Sequence, residues 1–159
     1  MQGWTLAMSV DLLDSNVWVA LSMERHTRHR EAAAWFDAIT DSDAACFCRM
    51  TQNSFMRLVT VKEFLKEDTM TNAQAVATYR RFRADPRCGW LDEPEGLESK
   101  WLSWAQRDTA SPKVWMDAYL AAFALQAKVR LVTLDAYFKK YQEQGLELLL
   151  LGTSASSAK

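Results

Sequence analysis

Two aspartates each close a short apolar run: Asp14 in Leu12-Leu-Asp-Ser-Asn16, and Asp135 in Leu131-Val-Thr-Leu-Asp135. A third, Asp117, lies in Val114-Trp-Met-Asp-Ala-Tyr-Leu-Ala-Ala121, in the first turns of an apolar helical stretch. Acids at such places have ordinary duties. Asp14 can cap a helix, Asp135 can end a strand in a turn, and an acid in a first helical turn is favoured by the helix dipole. Asp117 fits its ordinary duty least well, because Met116, Leu120, Ala121 and Ala124 make its helix a buried one, where an unpaired carboxylate is costly. Together the three offer hard oxygen ligands of the kind Mg2+ or Mn2+ prefers. A divalent ion held there would activate water and stabilise charge on a phosphate during an in-line displacement.

The elements that must position these acids follow from hydrophobic period and punctuation. Ser9–Leu13 reads as a strand, with Asp14 and Ser15 capping a helix over Asn16–Met23. A second helix covers Arg28–Ile39, with Ala32, Trp35, Phe36 and Ile39 on one face. Ala45–Cys48 is a short strand, and Thr51 is the expected N-cap of a helix carrying Phe55, Leu58 and Val59. Helices are expected over Asn72–Ala84, Leu97–Ala105 and Ser111–Ala127, the last with Pro112 in the first turn. Strands are expected at Cys88–Leu91, Val129–Leu134 and Leu146–Leu150, with a short helix at Tyr137–Gln142. Short apolar strands alternating with amphipathic helices define an α/β fold, a short and mainly parallel sheet sandwiched by helices. Such folds place ligands beyond the carboxyl ends of the strands. Asp14 and Asp135 stand there, and a helix entering beside the sheet brings Asp117 to the same rim.

Composition sets the outer limits. With 159 residues, five Gly and three Pro, one domain over residues 1–151 is expected, with a small polar tail at 152–159 that frays. The net charge of −1 neither announces nucleic acid nor excludes it, since a bound metal can supply the positive field. Cys46, Cys48 and Cys88 have no zinc-like spacing and read as reduced, packed thiols. No signal-peptide pattern and no membrane-length apolar run is present, so a cytoplasmic protein is expected.

Several segments, in order, resemble PIN domains of the VapC toxin type. They are Leu12-Leu-Asp-Ser-Asn-Val-Trp-Val-Ala-Leu21, His26-x-x-His29-x-x-Ala-x-x-Trp35-Phe36, Cys48-Arg-Met-Thr-Gln-Asn-Ser-Phe-Met-Arg-Leu58, Asp117-Ala-Tyr-Leu-Ala121 and Leu131-Val-Thr-Leu-Asp135. Each is weak alone; their order from Ser9 to Leu150 is what makes the resemblance specific. It implies a PIN-like fold and an endoribonuclease dependent on Mg2+ or Mn2+, the toxin of a type II toxin–antitoxin system. It also implies a cognate VapB-type antitoxin and a homodimer. The implied catalytic set is Asp14, Asp117 and Asp135 as metal ligands, with Asn16 orienting Asp14 or a metal-bound water, and with Gln52. Thr133 would add a hydroxyl on the same rim. Two positions depart from the pattern. Gln52 stands where many PIN domains have Glu, which removes a charge and predicts weaker metal binding. Met116 stands where Thr often precedes the Asp.

Other residues have competing duties. Arg25, His26, Arg28, His29 and Arg30 open the second helix; Arg28 could meet RNA phosphate, although Glu24 and Glu31 reduce the field. Arg49 lies close enough to Gln52 to be an RNA contact, whereas Arg57 sits two turns along. Arg80, Arg81 and Arg83 read as a solvated face. Trp101, Trp104, Trp115 and Tyr119 are core by spacing, or else a groove for an antitoxin helix; Trp18 and Met23 could serve that groove or a dimer interface. The alternative function is a catalytically weak or inactive PIN-like binding module, with Gln52 marking decay of the site. A phosphotransfer receiver also uses acids at strand ends, but it needs a Lys at a late strand end, where Thr-Leu-Asp follows Val132 here.

Overall fold

The computed structural model describes residues 9–152; the expectations for the lead-in before Ser9 and for the tail beyond Gly152 lie outside the described residues. Five strands form one sheet: β1 (Asp11–Leu13), β2 (Ala45–Phe47), β3 (Cys88–Trp90), β4 (Arg130–Thr133) and β5 (Leu148–Leu150). They run in the order β3-β2-β1-β4-β5, and every pairing is parallel. The central β1 is buried along its whole length, as a parallel strand covered on both faces should be. Its register sets Leu12 beside Leu131 and Leu13 beside Val132. Alternation then sends Leu13 and Val132 into one core and Leu12 and Leu131 into the other.

The first core is closed by α1 (Ser15–Ser22), α2 (His29–Asp37), α3 (Arg49–Val59) and α5 (Asn72–Ala84). Between the last two lie a single turn, α4 (Lys62–Leu65), and a 3-10 turn at Lys66–Asp68. The second core is closed by α6 (Leu97–Ala105), α7 (Pro112–Ala127) and a 3-10 helix at Ala136–Gln144. Among the described residues no helix is long and apolar enough to cross a membrane. The three cysteines are free and buried, as their spacing implies.

The chain order defines where a site belongs. From β1 the chain first builds outward through β2 and β3, then returns to the other side of β1 for β4 and β5. The reversal falls between β1 and β4, and such switch points open a crevice at the carboxyl ends of the strands. Asp14 leaves β1 there, and Asp135 follows β4.

Three local expectations are corrected. Thr51 is not the N-cap of α3: the helix starts earlier, with Cys48 at the cap and Thr51 at the third helical position. The Thr51 hydroxyl accepts from the Cys48 amide at 3.0 Å, so the Thr works from inside the first turn rather than ahead of it. The short helix expected at Tyr137–Gln142 is present but longer, a 3-10 helix over Ala136–Gln144 ended by Gly145 at φ 101. Trp18 and Met23 are buried in the first core and offer no surface to a partner; the Trp18 ring stacks on Phe47 at 3.7 Å. Their apolar character feeds the core rather than a face of the molecule.

Candidate metal centre

Asp14 occupies the N-cap position of α1, in extended geometry, yet its carboxylate makes no capping bond. It is turned instead toward β4, where the Thr133 hydroxyl donates to Asp14 Oδ2 at 2.8 Å. Thr133 is fully buried and serves three neighbours at once. Its oxygen also accepts from the Asp135 amide at 3.0 Å and from Asn16 Nδ2 at 3.4 Å. Asn16 therefore does not orient Asp14 directly. It ties the start of α1 to the end of β4, its own Oδ1 accepting from the Leu134 amide at 3.3 Å, and Thr133 does the orienting.

Asp135 accepts from the Tyr137 amide at 2.9 Å through Oδ1, capping the 3-10 helix, which leaves Oδ2 toward the rim. Asp117, one turn into α7, has its Oδ2 buried without a hydrogen-bond partner. Lys113, one turn before it, stands between the two acids, 3.9 Å from Asp117 Oδ2 and 3.4 Å from Asp135 Oδ2.

The electrostatics couple Asp117 to Asp14 on one side and to Asp135 on the other. Burial lifts the Asp14 carboxyl to about 6, the Thr133 hydrogen bond works against it, and the charge of Asp117 adds to the rise. Asp117 is raised by burial; Lys113 opposes that and Asp135 reinforces it. Lys113 is held above its ordinary value by Asp135 first and Asp117 second. Like charges gathered in a partly dry crevice need a counter-charge. Among the described residues no group of three acid, His or Cys side chains is placed to hold an ion by itself. Magnesium does not require one, since it keeps several waters and takes one or two carboxylates directly. The unpartnered, buried Asp117 Oδ2 and the all-oxygen donor set fit a hard divalent ion.

The remaining expected residues are placed as follows. Gln52 lies in the first turn of α3, and its Oε1 is taken by Arg49 Nη1 at 2.5 Å. The Arg49 guanidinium also lies 4.8 Å from the Trp90 ring centroid, which Arg83 approaches at 5.5 Å. The Arg28 side chain is taken up by other partners: Nε donates to Glu31, and Nη2 donates to the Leu151 carbonyl at 3.1 Å, beyond the edge strand β5. Arg57 lines a groove between α3 and α5. His29 Nδ1 pairs with the Ala20 carbonyl at 2.7 Å, and His26 Nδ1 accepts from the Arg28 amide. Met116 is exposed beside Asp117. Trp104 stacks on Tyr141, whereas Trp115 is half-exposed. Lys113 is a site residue that the sequence reading misses, although its spacing four residues before Asp117 carries the signal.

Two variants probe this arrangement. Thr133→Val keeps the shape and removes the hydroxyl that donates to Asp14. Residues that hold metal ligands in place typically matter ten- to a hundredfold, so Mg2+ or Mn2+ should bind roughly ten- to a hundredfold more weakly by calorimetry. Lys113→Met removes a cation that competes for two of the acids. The pair is largely exposed and screened, so the expected gain is modest: Mn2+ affinity about two- to fivefold tighter at low salt, the difference shrinking as salt is added. Unchanged affinity at low salt would mean that Lys113 does not compete for the site.

A parallel sheet with acids gathered at its switch point is the architecture of PIN nucleases, and the PIN domain model matches residues 12–144. The chain belongs to the PIN-domain family. Within it the chain stands with the VapC ribonucleases: it is 44% identical over 144 residues to Ribonuclease VapC41 of Mycobacterium tuberculosis, covering 88% of this chain and 97% of the relative. Among solved structures, VapBC2 from Rickettsia felis, bound to a DNA fragment from its promoter, is similar with a TM-score of 0.64 at 14% identity, covering 89% of this chain and 98% of that one. A toxin–antitoxin complex from Klebsiella pneumoniae aligns with a TM-score of 0.55 at 16% identity, covering 87% and 95%. At those identities the structures speak for the fold.

Proposed function

We propose that this chain is the toxin of a toxin–antitoxin pair and cleaves RNA with Mg2+ or Mn2+ held by Asp14, Asp117 and Asp135. The observation that carries the metal assignment is Asp117 Oδ2, buried without a hydrogen-bond partner and electrostatically coupled to both other acids. Kinship to VapC41, itself a ribonuclease, supports the substrate class. The ion, when bound, supplies charge stabilisation at the phosphate and activation of water. The chain's own contribution is positional. Thr133 fixes Asp14, Asn16 locks α1 to β4, and the Tyr137 amide fixes Asp135. Gln52, whose carbonyl is engaged by Arg49, lends no charge to the site.

Similarity to a toxin–antitoxin complex supports an antitoxin partner, and we propose with it the homodimer and the cytoplasmic location that the VapC resemblance implies. The test is incubation of purified, antitoxin-free protein with total RNA, with Mg2+, with Mn2+ and with EDTA, followed by mapping of fragment ends. Discrete fragments that EDTA abolishes support the reading. A folded protein that yields none across many RNAs would make it the inactive binding module instead.

A further inference from the structure

We propose that Arg107, Lys140 and Tyr137 form a subsite that grips an RNA backbone phosphate beside the aspartates. The proposal rests on the RNA-cleaving reading above and adds where the strand lies. Tyr137 is fixed relative to the acids, because its amide is bound by Asp135. Lys140 lies over the Tyr137 ring, 3.6 Å from its centroid, and also reaches its hydroxyl. Arg107 Nη2 comes from the loop after α6 to the same hydroxyl, at 3.4 Å. Lys113, already poised between Asp117 and Asp135, lies 5.0 Å from the ring. Four polar groups from three separate segments thus converge on one side of the acid cluster.

Neither Arg107 nor Lys140 is in an ion pair with a carboxylate among the described residues. Both are exposed, on a chain whose net charge is −1. A guanidinium and an ammonium steadied on a phenol present several N–H donors to a tetrahedral anion. From Arg107 a groove continues past Pro112 to Leu102 and the half-exposed Trp115. Cationic groups followed by an exposed indole are what a single strand needs, phosphate grip first and a stacking face next.

The test uses the Asp14→Asn protein with Mg2+, checked for absence of cleavage, and a fluorescein-labelled single-stranded RNA. Binding is followed by anisotropy over a range of KCl concentrations. Removing one cation that neutralises a phosphate should make the slope of log K against log salt shallower by about 0.7 for a single strand. Lys140→Gln and Arg107→Gln should each show that change, and the double variant about 1.4. Lys139→Gln, an exposed neighbour outside the cluster, should leave the slope unchanged. All three substitutions are on exposed side chains, and melting curves verify the fold. A double variant with the parent's slope overturns the subsite while leaving the ribonuclease reading intact. Absence of RNA binding by the Asp14→Asn parent, together with no cleavage by the native protein, overturns both.

Discussion

Asp117→Asn should reduce metal-dependent RNA cleavage by roughly a thousandfold, which corresponds to about 4 kcal/mol of lost transition-state stabilisation. Asp14→Asn should do the same. The two variants should differ in what they do to the fold. Asp14 is lifted to about 6 by burial, so the folded metal-free protein holds this proton more strongly than the unfolded chain, whose carboxyls titrate near about 4. The sign follows from linkage: the contribution to stability is full below about 4 and is lost as pH rises through about 6. Metal-free native protein should therefore gain stability on acidification across that window, and Asp14→Asn should show a smaller gain, what is left coming from Asp117, which burial also raises. Proton and metal compete for the same carboxylate, so cleavage at subsaturating Mg2+ should fall as pH drops through about 6 and recover with more metal. Denaturant melts at several pH values, with pH–rate profiles at two metal concentrations, check both halves. A full-rate Asp117→Asn enzyme would remove this residue from the site.

Much of this site is legible in the sequence. Asp14 and Asp135 follow from one rule, that a parallel sheet opens its crevice at strand carboxyl ends, and Asp117 follows from the conflict between its charge and its apolar helix. That logic uses only period and position. What escapes it depends on side-chain direction. Nothing in Leu12-Leu-Asp-Ser-Asn16 says that the Asp14 carboxylate abandons the helix end for Thr133, a residue 119 positions away. Nor does the basic run around Arg28 show that its guanidinium is spent on Glu31 and a carbonyl past β5. The place of Thr51 is ambiguous because a Thr looks the same at the cap and three residues on; its partner alone distinguishes them. The meeting of Arg107, Lys140 and Tyr137 leaves no local signal, because 30 positions separate Arg107 from the hydroxyl it meets.

Trp18→Ala should be the most destabilising single truncation near the site, at about 3–5 kcal/mol. Trp18 is fully buried on α1, one turn past Asp14. Its ring stacks on Phe47 of β2 with planes 7° apart, and meets Phe82 of α5 edge-on at 5.0 Å. It joins the helix that presents Asp14 to the adjacent strand and to a second helix, so its loss opens a cavity where three elements meet. For a chain of this size the melting temperature should fall by roughly 6–20 °C. Trp18→Phe separates area from hydrogen bonding. The indole N–H is buried without a partner, a penalty that Phe does not carry. Phe also keeps part of the stack, so its cost should stay near about 1 kcal/mol despite the smaller ring. Trp115→Ala, at a half-exposed site, should cost about 1 kcal/mol or less. Thermal melts of the three variants decide the matter. If Trp18→Ala melts with the native protein, α1 is held by something other than this stack, and the rigidity of Asp14 would have to come from Thr133 and Asn16 alone.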